Sequence, residues 1–167
     1  MDKDATTTKQ RDAGSSPEAV TADEPGTLLE VHHGRIGRCL TGRPPNLRAL
    51  FQDVAARNPA AIAIVDGEAR LSYAALEEQA ERLSRHLWTM GVRTGARVAI
   101  LLDNRAEFAV AMLAAIRTGA IFVPMNFRLT RPELAFALGD CGAEVVIHET
   151  TIASELPDAA DIPLVRR

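Results

Sequence analysis

The residues of this chain whose chemistry could reach a ligand are few and scattered. Asn126 and Arg128 lie two apart in the segment Pro124 to Arg128. An arginine placed there could hold a carboxylate or phosphate through two parallel hydrogen bonds. Anchoring of a loop, or a contact between subunits, competes for the same two side chains. Asn104 precedes a helical pattern, so capping that helix comes before any contact with a ligand. His32 and His33 have only Glu30 and Cys39 nearby and no second cluster, which favours a solvated pair over a metal site. Cys141 has no base close in sequence and reads as small apolar filler. Trp88, near the end of a helical pattern, reads as core in preference to a platform for a cofactor ring. The charges from Glu77 to Arg85 read as a solvated helix face.

Phosphate chemistry has no visible equipment. Neither a G-x-G-x-x-G nor a G-x-x-x-x-G-K-[ST] loop occurs, and the one Gly/Ser cluster, Gly14-Ser15-Ser16, is short. Both lysines, Lys3 and Lys9, fall in the polar start, so no ammonium is available to a phosphate or acyl group anywhere after Lys9. The residues alone predict no catalytic group and no metal site, with Asn126 and Arg128 the only weak binding candidates.

The elements that would position these residues follow from periodicity and caps. Asn46 caps a helix over 47–57, with Leu47, Leu50, Phe51 and Val54 on one stripe and Asn58-Pro59 as its stop. Ile62 to Val65, Asp66-Gly67 and Glu68 to Leu71 spell a β-hairpin turning at Asp-Gly. Ser72 caps a helix carrying Leu76, Ala80, Leu83, Leu87 and Met90, closed by Gly91. Its other face pairs Glu78 with Arg82 and Glu81 with Arg85. Val98 to Leu102 is apolar without alternation, the pattern of a parallel strand buried on both faces. Asn104-x-x-Glu107 opens a helix ending before Gly119; Ile121 to Val123 is a strand; Thr130-x-x-Glu133 opens a helix ending near Gly139; Glu144 to Ile147 is a third strand. The sum is an α/β fold: a β-hairpin with helices leading into a right-handed βαβαβ unit. In such sheets ligands gather at the carboxyl ends of the strands, here Asp103-Asn104, Pro124 to Arg128 and His148-Glu149.

Composition sets the outer limits. The chain has 167 residues, 47% hydrophobic and 25% charged, a length that fits one domain or two small ones and is enough for a modest core. Residues 1–25 hold six acidic against three basic residues and carry the whole net charge of −3. They read as a disordered leader, and residues 26–45 as an extended lead-in with a short apolar patch (Leu28, Leu29, Val31). Residues 151–167 read as an irregular tail. The neutral remainder offers no footprint for nucleic acid. The longest apolar run, Phe108 to Ile116, is nine residues against the roughly 20 of a membrane span. With a polar start and two cysteines, the expectation is a cytoplasmic protein without disulfides.

The stretch from about Leu47 to Ile147 resembles the start of the adenylate-forming enzymes of the ANL superfamily (AMP-dependent synthetases and ligases). Arg70-Leu71-Ser72-Tyr73-Ala74-Ala75-Leu76 is similar to the family's L-[ST]-Y-x-x-L motif, and Arg117 to Asn126 to its [KR]-x-G-A-x-x-V-P-[LM]-[ND] motif. Phe127 to Leu134, then Asp140-Cys141-Gly142-Ala143, resembles the acyl- and aryl-CoA ligase branch; carrier-linked amino-acid adenylation domains usually read V-P-L-D-P there.

The resemblance implies that residues 46–150 form part of an AMP-binding domain. It also implies a two-step reaction: ATP activates a carboxylate as an acyl-adenylate, releasing pyrophosphate, and CoA then displaces AMP. In the family the Ser/Thr/Gly-rich ATP loop, the acyl pocket and the catalytic lysine all follow the matched part. The expectation is therefore an N-terminal fragment of an AMP-forming acyl-CoA ligase, inactive alone. ATP, Mg and CoA would serve the full-length enzyme and not this fragment. Its partner would be the remainder of the ligase domain, in cis or in trans. A subunit of a split enzyme and a non-catalytic module pairing with a full-length ligase are the other two expectations. Tyr73, Leu76, Gly119 and Pro124 would then shape the fold. Open sheet edges and uncovered helix faces predict marginal stability or self-association. Fatty and aromatic acids are both open as substrates.

Overall fold

The computed structural model of the protein describes residues 26–32, 34–162 and 165–166. The expected leader and His33 lie outside these residues. The chain divides into two compact units, Met1–Arg43 and Pro44–Arg167.

In the first unit, β1 (Thr27–His32) and β2 (Arg35–Leu40) form an antiparallel hairpin in register from Thr27↔Leu40 to His32↔Arg35. The stretch read as an extended lead-in is thus two paired strands. Thr41 closes its base, its N–H and hydroxyl both donating to the Gly26 carbonyl at 2.9 and 3.0 Å. Leu29, Val31, Ile36 and Leu40 fall on one side of the ribbon by alternation. Val31, Ile36 and Leu40 are 64–69% exposed.

The second unit begins with α1 (Leu47–Arg57), where the Asn46 side chain accepts from the Ala49 N–H at 2.9 Å. The hairpin of β3 (Ile62–Asp66) and β4 (Ala69–Ser72) follows. Its turn is Gly67-Glu68, one residue later than the Asp66-Gly67 expected, because Asp66 pairs with Ala69 as the last rung. α2 (Tyr73–Thr89) starts at Ser72, which accepts from the Ala75 N–H at 3.2 Å, and Gly91 follows its end with positive φ.

The parallel sheet comprises β5 (Arg97–Leu101), β6 (Ile121–Pro124) and β7 (Val145–His148), joined by α3 (Ala106–Thr118) and α4 (Arg131–Asp140). Strand order is β6-β5-β7. Val98 and Ile100 of β5 pack with Leu87, Ala111 and Ala114 of α2 and α3, while Ala99 and Leu101 pack with Leu134 and Leu138 of α4. The helices therefore cover opposite faces, which explains why β5 is apolar without alternation. Leu87, Ile100, Leu101 and Leu138 are each under 2% exposed, and each such burial contributes about 1.5–3 kcal/mol. The expected strand and helix boundaries hold within a residue or two.

Asn104 and Trp88 depart from the roles expected of them. Asn104 does not cap α3: its backbone N–H bonds Asp103 Oδ1 at 2.6 Å, and the helix begins after Arg105 without a local side-chain cap. The Ala106 N–H instead donates to Asp66 Oδ2 at 2.9 Å, so a residue 40 positions earlier satisfies the helix start. Trp88 is not core. It is 53% exposed and lies under the Arg93 guanidinium, 3.8 Å from the ring centroid, a cation–π contact.

The expected irregular tail is partly ordered and buried. After a 3₁₀ turn (Thr150–Glu155), Leu156 and Ile162, both 3% exposed, join the α4 side of the core. Arg166 makes a parallel bridge to Val145: its N–H donates to the Glu144 carbonyl and its carbonyl accepts from the Val146 N–H, both at 2.8 Å. Among the described residues no helix is long and apolar enough to cross a membrane.

Candidate functional site

The chain leaves β5 toward β6 on one side and returns to β7 on the other, so the direction of the connections reverses between β5 and β7. A crevice opens at the carboxyl ends of two such strands, the usual place for a ligand in an open α/β sheet. A cleft of about 370 Å³ occupies this position. Its walls are Leu83 of α2, Val110 and Ala111 of α3, Leu102 after β5 and Ile147 of β7; Arg105, Glu107 and His148 to Thr151 stand around it.

The rim is an ion-pair network. The Arg105 guanidinium donates to both carboxylate oxygens of Glu107 at 2.8 and 3.1 Å and lies 3.4 Å from Glu149. Glu149 also accepts from the Asp103 N–H at 3.0 Å and from the Thr151 hydroxyl at 3.4 Å. These bonds tie the loops after β5 and β7 together. The hydrogen bond to Glu107, with its charge, raises the Arg105 pKa, and the same bond holds the Glu107 carboxyl below its ordinary value. The His148 ring shares a hydrogen bond with the Glu149 carbonyl at 2.9 Å. Each charged group of the rim thus has a partner within the rim.

Asn126 and Arg128 do not line this cleft. They sit on the exposed loop after β6, where Asn126 Oδ1 accepts from the Arg128 N–H at 3.0 Å and the guanidinium lies over Phe127, 5.5 Å from the ring centroid. Loop anchoring accounts for Asn126. Sequence reading named Glu107 at a helix start and Glu149 at a strand end but missed Arg105 and the network, because nothing in their spacing announces that residues 44 apart meet across two strand ends.

The motif residues occupy the frame. Tyr73 packs against Phe51 with ring centroids 6.0 Å apart, and Leu76 is 4% exposed beneath α2. Arg117 bonds Glu77 and lies 3.6 Å from Glu81, bracing α3 to α2, so part of the face read as solvated carries a bridge between helices. Gly119 ends α3 at φ +77, and a Cβ there would lie 2.7 Å from the Thr94 hydroxyl. Cys141 is half-buried against the α4 side of the core, as small filler would be.

A nucleotide triphosphate with its metal finds no fit among these groups. The single guanidinium of the cleft is neutralised by two carboxylates, the loops are not glycine-rich, and no group of three or more His, Cys, Asp or Glu among the described residues could hold a metal ion. The arrangement supplies shape and rigidity at the two strand ends.

Comparison with known proteins gives a consistent picture. A model of the AMP-binding enzyme family matches residues 51–166. The medium/long-chain-fatty-acid–CoA/3-oxocholest-4-en-26-oate–CoA ligase of Mycobacterium marinum is 35% identical over 111 residues, covering 64% of this chain and 20% of that protein. Feruloyl-CoA synthase of an Amycolatopsis species is 45% identical over 91 residues, covering 54% of this chain and 18% of that protein. The crystal structure of the N-terminal domain of FACL13 from Mycobacterium tuberculosis, with inhibitor bound, is 34% identical and superposes with a TM-score of 0.62, covering 65% of this chain and 28% of that one. The chain therefore spans about a fifth of the length of the curated relatives it matches.

Proposed function

From the premise that this chain belongs to the AMP-binding enzyme family, we propose that it is the N-terminal portion of the adenylate-forming domain of an acyl-CoA ligase. The complete enzyme would join a carboxylic acid to CoA, with ATP cleaved to AMP and pyrophosphate. The observation that carries this reading is the order of the two motif segments and where they fall. Residues 70–76 end β4 and start α2, and residues 117–126 end α3 and form β6, each making a specific frame contact. The relatives named for fatty acids and for ferulate support the CoA-ligase branch and leave the acid itself open between fatty and aromatic classes.

On this reading the chain contributes scaffold. Arg117 braces the two helices, Gly119 allows the tight return into β6, and Asp66 fixes the β3–β4 hairpin to the start of α3. ATP, Mg and CoA are bound by parts of the enzyme beyond these residues, and the chain alone catalyses neither half-reaction. The test is pyrophosphate release by the purified chain with ATP, Mg²⁺ and a panel of fatty and aromatic acids. No release above the acid-free blank is expected; acid-dependent release from the chain alone would overturn the assignment of a purely structural role.

A further inference from the structure

We propose that the cleft at the carboxyl ends of β5 and β7 is the seat on which the polypeptide carrying the rest of an adenylate-forming domain docks, by inserting an apolar side chain between Leu83, Val110 and Ile147. The inference rests on the reading of the chain as an N-terminal portion. Three observations lead to it. The walls are aliphatic, yet Leu83 and Ile147 stay only half-buried, so the side of the core between α2, α3 and β7 is left open where it faces the cleft. The rim charges already satisfy one another, since Arg105 is held by Glu107 and Glu149, and Glu149 also takes the Asp103 N–H. A charged small molecule would have to break those bonds, whereas an apolar side chain fills the cleft without disturbing them.

The third observation selects the occupant. An N-terminal domain of similar fold is more than three times as long as the part matched here, which covers 28% of it. Much of such a domain must therefore pack on the surfaces this chain presents. The backbone of Arg166 already pairs on the outer edge of β7, beside Val145 at the strand's amino end, so chain is added outward from this strand, and the cleft lies at its other, carboxyl end. A polypeptide layer added there would cover the aliphatic walls and keep the rim as the polar border of the contact.

The experiment uses the full 167-residue chain and, as partner, the Amycolatopsis feruloyl-CoA synthase shortened to begin after the segment it shares with this chain. The expected result is association, with ferulate- and ATP-dependent pyrophosphate release that neither piece gives alone. Thr151→Trp, on the exposed 3₁₀ turn, should fill the cleft and weaken association about tenfold or more. Glu68→Trp, in the β3–β4 turn, should leave it unchanged. Independently of any variant, amide exchange at Leu83, Val110 and His148 to Thr151 should slow in the complex. Association with Thr151→Trp as tight as wild type, and no new protection at those amides, would overturn the cleft while leaving the N-terminal-portion reading intact. Absence of any association or restored activity with the wild-type chain would overturn both.

Discussion

β5 and the β1–β2 hairpin are built from similar residue types and meet opposite fates. Val98, Ala99, Ile100 and Leu101 are at most 1% exposed, whereas Val31, Ile36 and Leu40 are 64–69% exposed. β5 is flanked by strands on both sides and by helices on both faces; the hairpin has two strands and, among the described residues of its own unit, no covering layer. A two-stranded ribbon is marginal in water because it removes little apolar surface from solvent. Stability in this chain is thus a property of layering, and apolar composition alone does not confer it.

Changes that open the layers should cost most. Ile100→Ala leaves a cavity between β5 and α3 and should lower stability by about 2–5 kcal/mol in denaturant titration. Gly119→Ala forces a side chain into positive φ and against Thr94, and should cost about 1–3 kcal/mol. A wild-type-like midpoint would show that α3 can end another way. Asp66→Ala removes the acceptor for the Ala106 N–H and should cost about 1 kcal/mol, read also as faster amide exchange at the first turn of α3.

Acid should act next. The backbone N–H and the hydroxyl of Thr130 both donate to Glu133 and hold its carboxyl below the ordinary value. The stabilisation is complete above the unfolded value of about 4.3 and disappears as pH falls through the lower folded value. Melting of wild type and Glu133→Gln should therefore differ at pH 6 and converge near pH 3. The smallest effect belongs to the hairpin: Ile36→Thr should shift stability by no more than about 0.5 kcal/mol. A loss several times larger would mean that the hairpin has a covering layer after all.

The same contrast decides what could be read from the sequence. The parallel strands were legible because burial on both faces leaves an unbroken apolar run, and the helices because Asn46, Ser72, Thr130 and Gly119 mark their ends. Strand order was not legible, since β5-β6 and β5-β7 pairing depends on how α3 and α4 divide between the faces. The tail hid its role because Leu156 and Ile162 are single apolar residues without period, buried by tertiary contact alone. Asn104 misled because a local cap motif lost to Asp66, supplied from a distant hairpin. At the cleft, the strand ends were foreseeable from the fold class. The Arg105–Glu107–Glu149 network was not, and the two residues that were singled out, Asn126 and Arg128, lie on the exposed loop after β6 and outside this cleft.

The most direct measurement is a transplant. The 91-residue stretch of this chain that aligns with the Amycolatopsis feruloyl-CoA synthase would replace its counterpart in that enzyme, and ferulate-dependent pyrophosphate release would be assayed on the purified chimera. If the chain is the N-terminal scaffold of an acyl-CoA ligase, the chimera is active and keeps its preference for ferulate, because the acid pocket lies in the retained part. A chimera that is folded, with a cooperative melt, and yet has no activity would contradict that account.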